Sequence, residues 1–244
     1  MYGMTVGTRS VVGVVALLAA SVAFAEDAGI KKSASVNLGI SMTGGNSTTL
    51  VANACAVGEI TDGKNTGKAG VEWNYGEQGD DATVDTSKGF VNLRHLIRDG
   101  LYAYYDTALS RDKIADVKYR LITGPGLGYS VYKTEQTDLA GEGGLSYIGE
   151  KVGSKKSDIL AVRLAERLNH QFSKTSKLWE TVEYLPDTRD WKKKYLINGE
   201  AGIEAAIREE VALRLMYRDT YDSQPAPGRK NNDTALIASV SYKL

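Results

Sequence analysis

Hydrophobic residues in this chain recur at every second position. Val36, Leu38, Ile40 and Met42 alternate with Ser35, Asn37, Gly39 and Ser41. Successive side chains of an extended strand point to opposite faces, so this spacing predicts a strand with one apolar and one polar face. The pattern returns at Leu50, Ala52, Ala54 and Ala56, and again at Ala69, Val71, Trp73 and Tyr75. Further alternating segments lie near 88–96, 101–110, 117–132, 139–151, 159–172, 178–185, 195–207, 211–221 and 234–244, for twelve in all. Each is about the ~9–11 residues that cross a bilayer at a strand's usual tilt.

The links between these segments carry their own rhythm. The even-numbered links, at 61–67, 98–100, 133–137, 173–176 and 208–210, are compact. Most odd-numbered ones, at 77–83, 111–116, 152–157, 186–193 and 223–232, are longer or more polar, with 44–47 a short exception. Short turns at one rim and longer loops at the other are the habit of outer-membrane barrels, and an even strand count puts both termini at the short-turn, periplasmic rim. Segments 158–172 and 203–218 also have helical spacing, with Leu160, Leu164 and Leu168 four apart, but they sit among strands and are read as strands. Pro125 has no N–H for a ladder, which predicts a bulge or kink there.

Composition alone describes a soluble protein: 42% apolar residues, and 30 Lys plus Arg against 30 Asp plus Glu. Placing the apolar residues at alternate positions lets the same fraction coat the outside of a barrel. The zero net charge argues against a nucleic-acid partner. One cysteine excludes a disulfide framework and a thiolate metal cluster. Residues 1–25 carry Arg9, an apolar run from Val11 to Ala20, and Ala23-Phe24-Ala25 before an acidic pair. That is the pattern of a secretory signal peptide cleaved after Ala25. The expected organisation is therefore a signal peptide (1–25), a short periplasmic segment (26–32) and one barrel (33–244). Cys55 lies too far past that cut for a lipoprotein site and reads as a small buried or lipid-facing residue.

If apolar positions face lipid, the opposite set points into the lumen: Glu72, Arg94, Asp106, Arg120, Glu142, Arg163, Arg167, Glu200, Glu204, Arg214 and Arg218. A charge facing lipid at mid-depth costs ~2–4 kcal/mol, so the inward assignment is the cheaper one. Opposite signs in a narrow barrel predict cross-strand ion pairs, since an unpaired buried charge is costly. Such networks either fill the lumen or line a solute path. Filling is preferred, because clear aqueous channels belong to barrels of roughly 16–18 strands. Trp73, Tyr75, Tyr129, Tyr147, Trp179, Tyr184, Trp191, Tyr217 and Tyr242 fall near strand ends, where they would serve as interfacial girdles.

Tyr119-Arg120-Leu121, Gly124-Pro125-Gly126-Leu127-Gly128-Tyr129 and Gly141-Glu142-Gly143-Gly144-Leu145-Ser146-Tyr147 resemble the salt-induced outer-membrane proteins. Asn46-Ser47-Thr48 and Arg163-Leu164-Ala165-Glu166-Arg167 add to this likeness to a domain-of-unknown-function family of Gram-negative bacteria. The resemblance covers most of 33–244. It implies an outer-membrane β-barrel with no assigned biochemical role. Val240, Tyr242 and Leu244 alternate as a signal for the barrel-assembly machinery does, ending in Leu where such signals usually end in Phe.

No motif carries catalysis. A serine nucleophile needs a histidine base and an orienting partner. His95 and His170 are the two histidines, and neither adjoins a nucleophile elbow. They are read as strand-end residues near headgroups, and with one Cys they make no zinc site. No helix start follows Gly124–Gly128 to hold a phosphate, so these glycines are assigned to barrel curvature. Asp138 and Asp158 stand in loops without EF-hand spacing. The expectation is an all-β, closed, antiparallel, up-and-down transmembrane barrel of about twelve strands in the outer membrane. It would have no cofactor and would contact lipid, the assembly machinery and small solutes, as a non-enzymatic solute channel or a structural envelope protein. A lipase-like outer-membrane hydrolase and a soluble periplasmic ligand-binding barrel are the alternatives.

Overall fold

The computed structural model describes residues 29–44, 49–79 and 81–244, so the expected signal peptide lies outside the described residues. Twelve strands follow one another: β1 (Lys31–Gly44), β2 (Leu50–Thr61), β3 (Asn65–Gln78), β4 (Asp81–Arg98), β5 (Leu101–Asp112) and β6 (Val117–Lys133). The second half comprises β7 (Thr137–Val152), β8 (Lys155–Gln171), β9 (Ser176–Pro186), β10 (Tyr195–Ala206), β11 (Val211–Asp222) and β12 (Asn232–Lys243). β1 begins within the segment 26–32 that was expected to precede the barrel. Each strand pairs antiparallel with its neighbours in sequence, and β1 pairs with β12 from Ser35↔Lys243 to Gly44↔Thr234, which closes the barrel. Closure leaves no sheet edge with unpaired backbone groups, a condition that hydrocarbon imposes.

The alternation now has a geometric meaning. Leu38, Ile40 and Met42 of β1, Leu213 and Leu215 of β11, and Val240 of β12 are all exposed on the outer wall. Tyr75 and Trp73 stack there with ring centroids 5.7 Å apart. Trp179, expected among the outer girdles, instead turns inward, where its indole N–H donates to Glu200. The outer wall also carries acids among its apolar residues, since Glu166 pairs with Val182, and Glu180 with Leu168, on the apolar parity of β8 and β9.

Segments with helical spacing are strands: 158–172 lies largely in β8, and 203–218 divides between β10 and β11. Pairing on both sides outweighs local spacing. Two links expected to be long are tight turns, because β3 runs to Gln78 opposite Asp81 and β7 to Val152 opposite Lys155. The hydrogen-bonded ladder continues past the apolar band, where both faces turn polar and alternation no longer marks the strand. Gly153, at φ +60°, supplies the left-handed backbone of one such turn. The connections at 187–194 and 223–231 remain extended.

No register shift marks the bulge or kink expected at Pro125, but the β6–β7 ladder skips Gly124 and Pro125 between Thr123↔Tyr147 and Gly126↔Gly144, while Pro125 stays opposite Tyr105 of β5. Register shifts fall nearer strand ends, as between Leu96 and Arg98 and between Ser130 and Tyr132. The glycines of β6 allow close approach. A Cβ on Gly124 would stand 1.9 Å from the Leu145 carbonyl oxygen. On Gly126 and Gly128 it would meet the rings of Tyr104 and Tyr102 at about 2 Å. Gly202 makes the same space for Trp179.

Gly124→Ala is expected to lower stability in urea-unfolding titrations of the lipid-folded barrel by ~1–3 kcal/mol, the range for overpacking. Gly141→Ala, whose Cβ would meet nothing within 4 Å, is expected to leave the midpoint within experimental scatter.

Candidate functional site in the barrel lumen

Glu142 of β7 sits at the centre of the largest network, its carboxylate sealed from solvent. Arg163 of β8 donates to its Oε2 at 2.8 Å, Arg167 of β8 approaches Oε1 at 2.8 Å, and Arg94 of β4 donates to Oε1 at 3.1 Å. The Tyr102 hydroxyl donates to the same oxygen at 2.8 Å. Arg163 in turn reaches Glu183 of β9 and lies 3.5 Å from Asp106 of β5. Its guanidinium covers the Tyr104 ring at 4.8 Å, as Arg94 covers Tyr102 at 5.1 Å. The glycines of β6 seat these two rings, so the Gly-rich strand and the charged cluster form one unit.

Arg218 of β11 makes a bidentate contact to Glu72 of β3, with its Nη2 at 3.0 Å from Oε2, and donates to Glu200 of β10 at 3.2 Å. Between β11 and β3 lie β12, β1 and β2, so this bond spans the interior instead of following the wall. Asn74 donates to the Glu72 carboxylate at 3.0 Å. Near the opposite rim from the termini, Arg120 of β6 donates to Glu150 of β7 at 2.6 Å and to Asp222 of β11, again across the barrel. Glu204 of β10 takes Arg214 at 3.2 Å and Lys177 at 3.1 Å. Arg214 also covers the Trp179 ring at 4.6 Å and donates to Asn37 of β1 at 3.3 Å, over the small residues of that strand.

The eleven charged residues singled out from the sequence thus fall into four linked groups. Glu150, Glu183 and Asp222 belong with them and were missed. Glu183 was findable, because it alternates with Val182 and Tyr184 on the outside. Asp222 was not, because its partner Arg120 is 102 residues away. Nor is the inner wall polar throughout. Ile148, Ile159, Ala161, Leu185 and Leu196 form a buried cluster, with Ile122 packed against it. Cys55 shares the inward parity with Asn53 and Val57, opposite Glu72.

The histidines stand apart from these groups at strand ends. His95 Nδ1 lies 2.7 Å from Asn65 Oδ1, and His170 Nδ1 lies 2.8 Å from Thr137 Oγ1. The Phe172 ring stands edge-on to His170 at 4.7 Å and orients no proton. Among the described residues, no group of three or more His, Cys, Asp or Glu side chains is placed to hold a metal ion.

Just past β9, the buried Asp187 opens the 187–194 connection and bridges Ala161 of β8. Burial raises its carboxyl pKa, but hydrogen bonds from the Arg189 side chain and backbone, with the charges of Arg189 and Lys194, hold it below the ordinary value. The Lys193 carbonyl accepts from Ser223 at 3.1 Å, which ties this connection to 223–231.

A family model described as "Protein of unknown function, DUF481" matches residues 36–244. No curated protein matches the chain. Among solved structures, the NanC porin aligns at a TM-score of 0.59 and 10% identity, over 86% of this chain and 100% of that one. An outer membrane channel from Pseudomonas putida F1 aligns at 0.50 and 9% identity, over 90% and 97%. A bacterial polysaccharide outer membrane secretin aligns at 0.50 and 6% identity, over 86% and 98%. At such identities the likeness is one of fold.

Glu142→Gln is expected to destabilise the barrel by ~3–5 kcal/mol in urea unfolding, the cost of leaving buried charges without their partner. Glu200→Gln, at a more exposed carboxylate, should cost clearly less. The lowered Asp187 pKa means that the folded state binds this proton less readily than the unfolded chain. Its stabilising contribution is therefore complete above the ordinary carboxylate range and is withdrawn as pH falls through the lowered value. Asp187→Asn should flatten the acid limb of a stability-against-pH curve.

Proposed function

Because this chain belongs to the family described as "Protein of unknown function, DUF481", a description that assigns no role, we propose its function from the lumen: a non-enzymatic outer-membrane barrel that gives small polar solutes a narrow passage. The observation that carries this reading is the state of the cross-lumen bridges. They narrow the interior, yet the side chains of Arg94, Arg167, Arg214 and Arg218 stay a quarter to a third exposed. A lumen filled as a core would have buried both partners of each pair. In this reading residues 1–25 direct export and are removed, the rim with both termini faces the periplasm, and β12 presents the assembly signal. The outer belt of exposed Leu, Ile and Val favours lipid over a soluble ligand-binding role. The surroundings of His95 and His170 favour no hydrolase, and the salt response rests on resemblance alone.

A second reading is a purely structural envelope barrel. The Arg120 bridge from β6 to β11 favours it, because it crosses the rim where a solute would enter. Recording from folded protein in planar bilayers separates the two. The passage reading expects discrete but small conductance steps, enlarged when Arg218→Gln and Glu72→Gln are combined to remove one bridge with the net charge unchanged, Glu200 keeping the Trp179 indole N–H. Silent bilayers, with protein that shows the heat-dependent gel shift of a folded barrel, would leave the structural reading.

A further inference from the structure

We propose that the passage selects small anions, an inference that rests on the passage reading above and concerns which charge its water meets. The chain's charges balance in number, but the pairs of the lumen are not turned at random. Arg94 is 33% exposed and its partner Glu142 is 0% exposed. Arg214 is 26% exposed against 15% for Glu204, and Arg218 is 27% exposed against 13% for Glu72. Each of these pairs is a dipole with its positive end towards the lumen water and its carboxylate set behind. Lysines add to the same sign: Lys177 is 49% exposed, and Lys68 and Lys88 are exposed on the inward parity of β3 and β4. Four pairs run the other way: Glu200, at 35%, is more exposed than Arg218, Asp106 and Glu183 are more exposed than Arg163, and Asp222 is more exposed than Arg120. Of these carboxylates Glu200 reaches furthest into the water, held by the Trp179 indole and Arg218.

An ion in a narrow lumen passes within a Debye length, ~8–10 Å at ordinary ionic strength, of whatever charges reach its water. Exposed Lys and Arg heads favour anions there, as Lys and Arg rings do in anion pores. The chemical class is therefore a small inorganic anion or an organic carboxylate, recognised by charge.

The experiment is a reversal-potential measurement in planar bilayers under a tenfold potassium chloride gradient, with the full barrel. Wild type should show an anion-to-cation permeability ratio several-fold above one. The double variant Lys68→Glu and Lys88→Glu should bring the ratio below one. Both sites are exposed, so the gel shift should persist. Arg111→Glu, exposed on the outward parity of β5, should leave the ratio unchanged. A wild-type ratio at or below one, or a double variant that keeps the wild-type ratio, overturns the anion proposal and leaves the passage standing. No conductance from folded protein overturns both.

Discussion

A backbone N–H or C=O that reaches hydrocarbon without a partner costs several kcal/mol, and everything in this barrel follows from meeting that requirement. The seam between β1 and β12 meets it last in chain order and first in importance. Once the sheet is closed, period-two alternation gives the wall an outside and an inside. The outside can be served by Leu, Ile and Val singly. Inside, a residue on one strand faces partners contributed by strands far away in sequence, and its charge must be answered there.

The inside is built as several small solutions. Beside β7 and β8, glycines of β6 admit Tyr102 and Tyr104, the rings lie under Arg94 and Arg163, and these arginines close on Glu142. Towards the other rim the same side of the wall turns apolar at Ile148, Ile159 and Leu196. Across from it, β1 offers Asn37, Gly39 and Ser41, and Arg214 extends over Asn37. Side-chain size and charge are thus distributed around the ring unevenly, although the outer wall repeats with little change.

Much of this was legible in the order of residues. Strand number, antiparallel sequence-neighbour pairing and closure follow from Val36 to Met42 and its repeats. Alternation also put Arg163 and Arg167 on one face of β8 and Glu166 on the other. What stayed hidden has three causes. Hydrogen bonding runs beyond the lipid band, so the ends of β3, β4, β7 and β8 left no hydropathy trace. Where both faces are apolar, as through Ile159-Leu160-Ala161-Val162, period two gives no warning that the lumen holds a buried cluster. The third is distance along the chain: nothing near Arg120 announces Asp222, and nothing near Trp179 announces that Gly202 clears a seat for it.

Arg120 and Arg218 have a mechanical meaning as well as an electrostatic one. A thin tube squeezed sideways by a bilayer fails by flattening, since each strand pair is a hinge that bends more readily than it stretches. Bonds from β6 to β11 and from β11 to β3 act as spokes between distant arcs of that ring. Lateral pressure on the outer wall is then borne partly through the interior, and the cross-section keeps its shape with a wall only one strand thick.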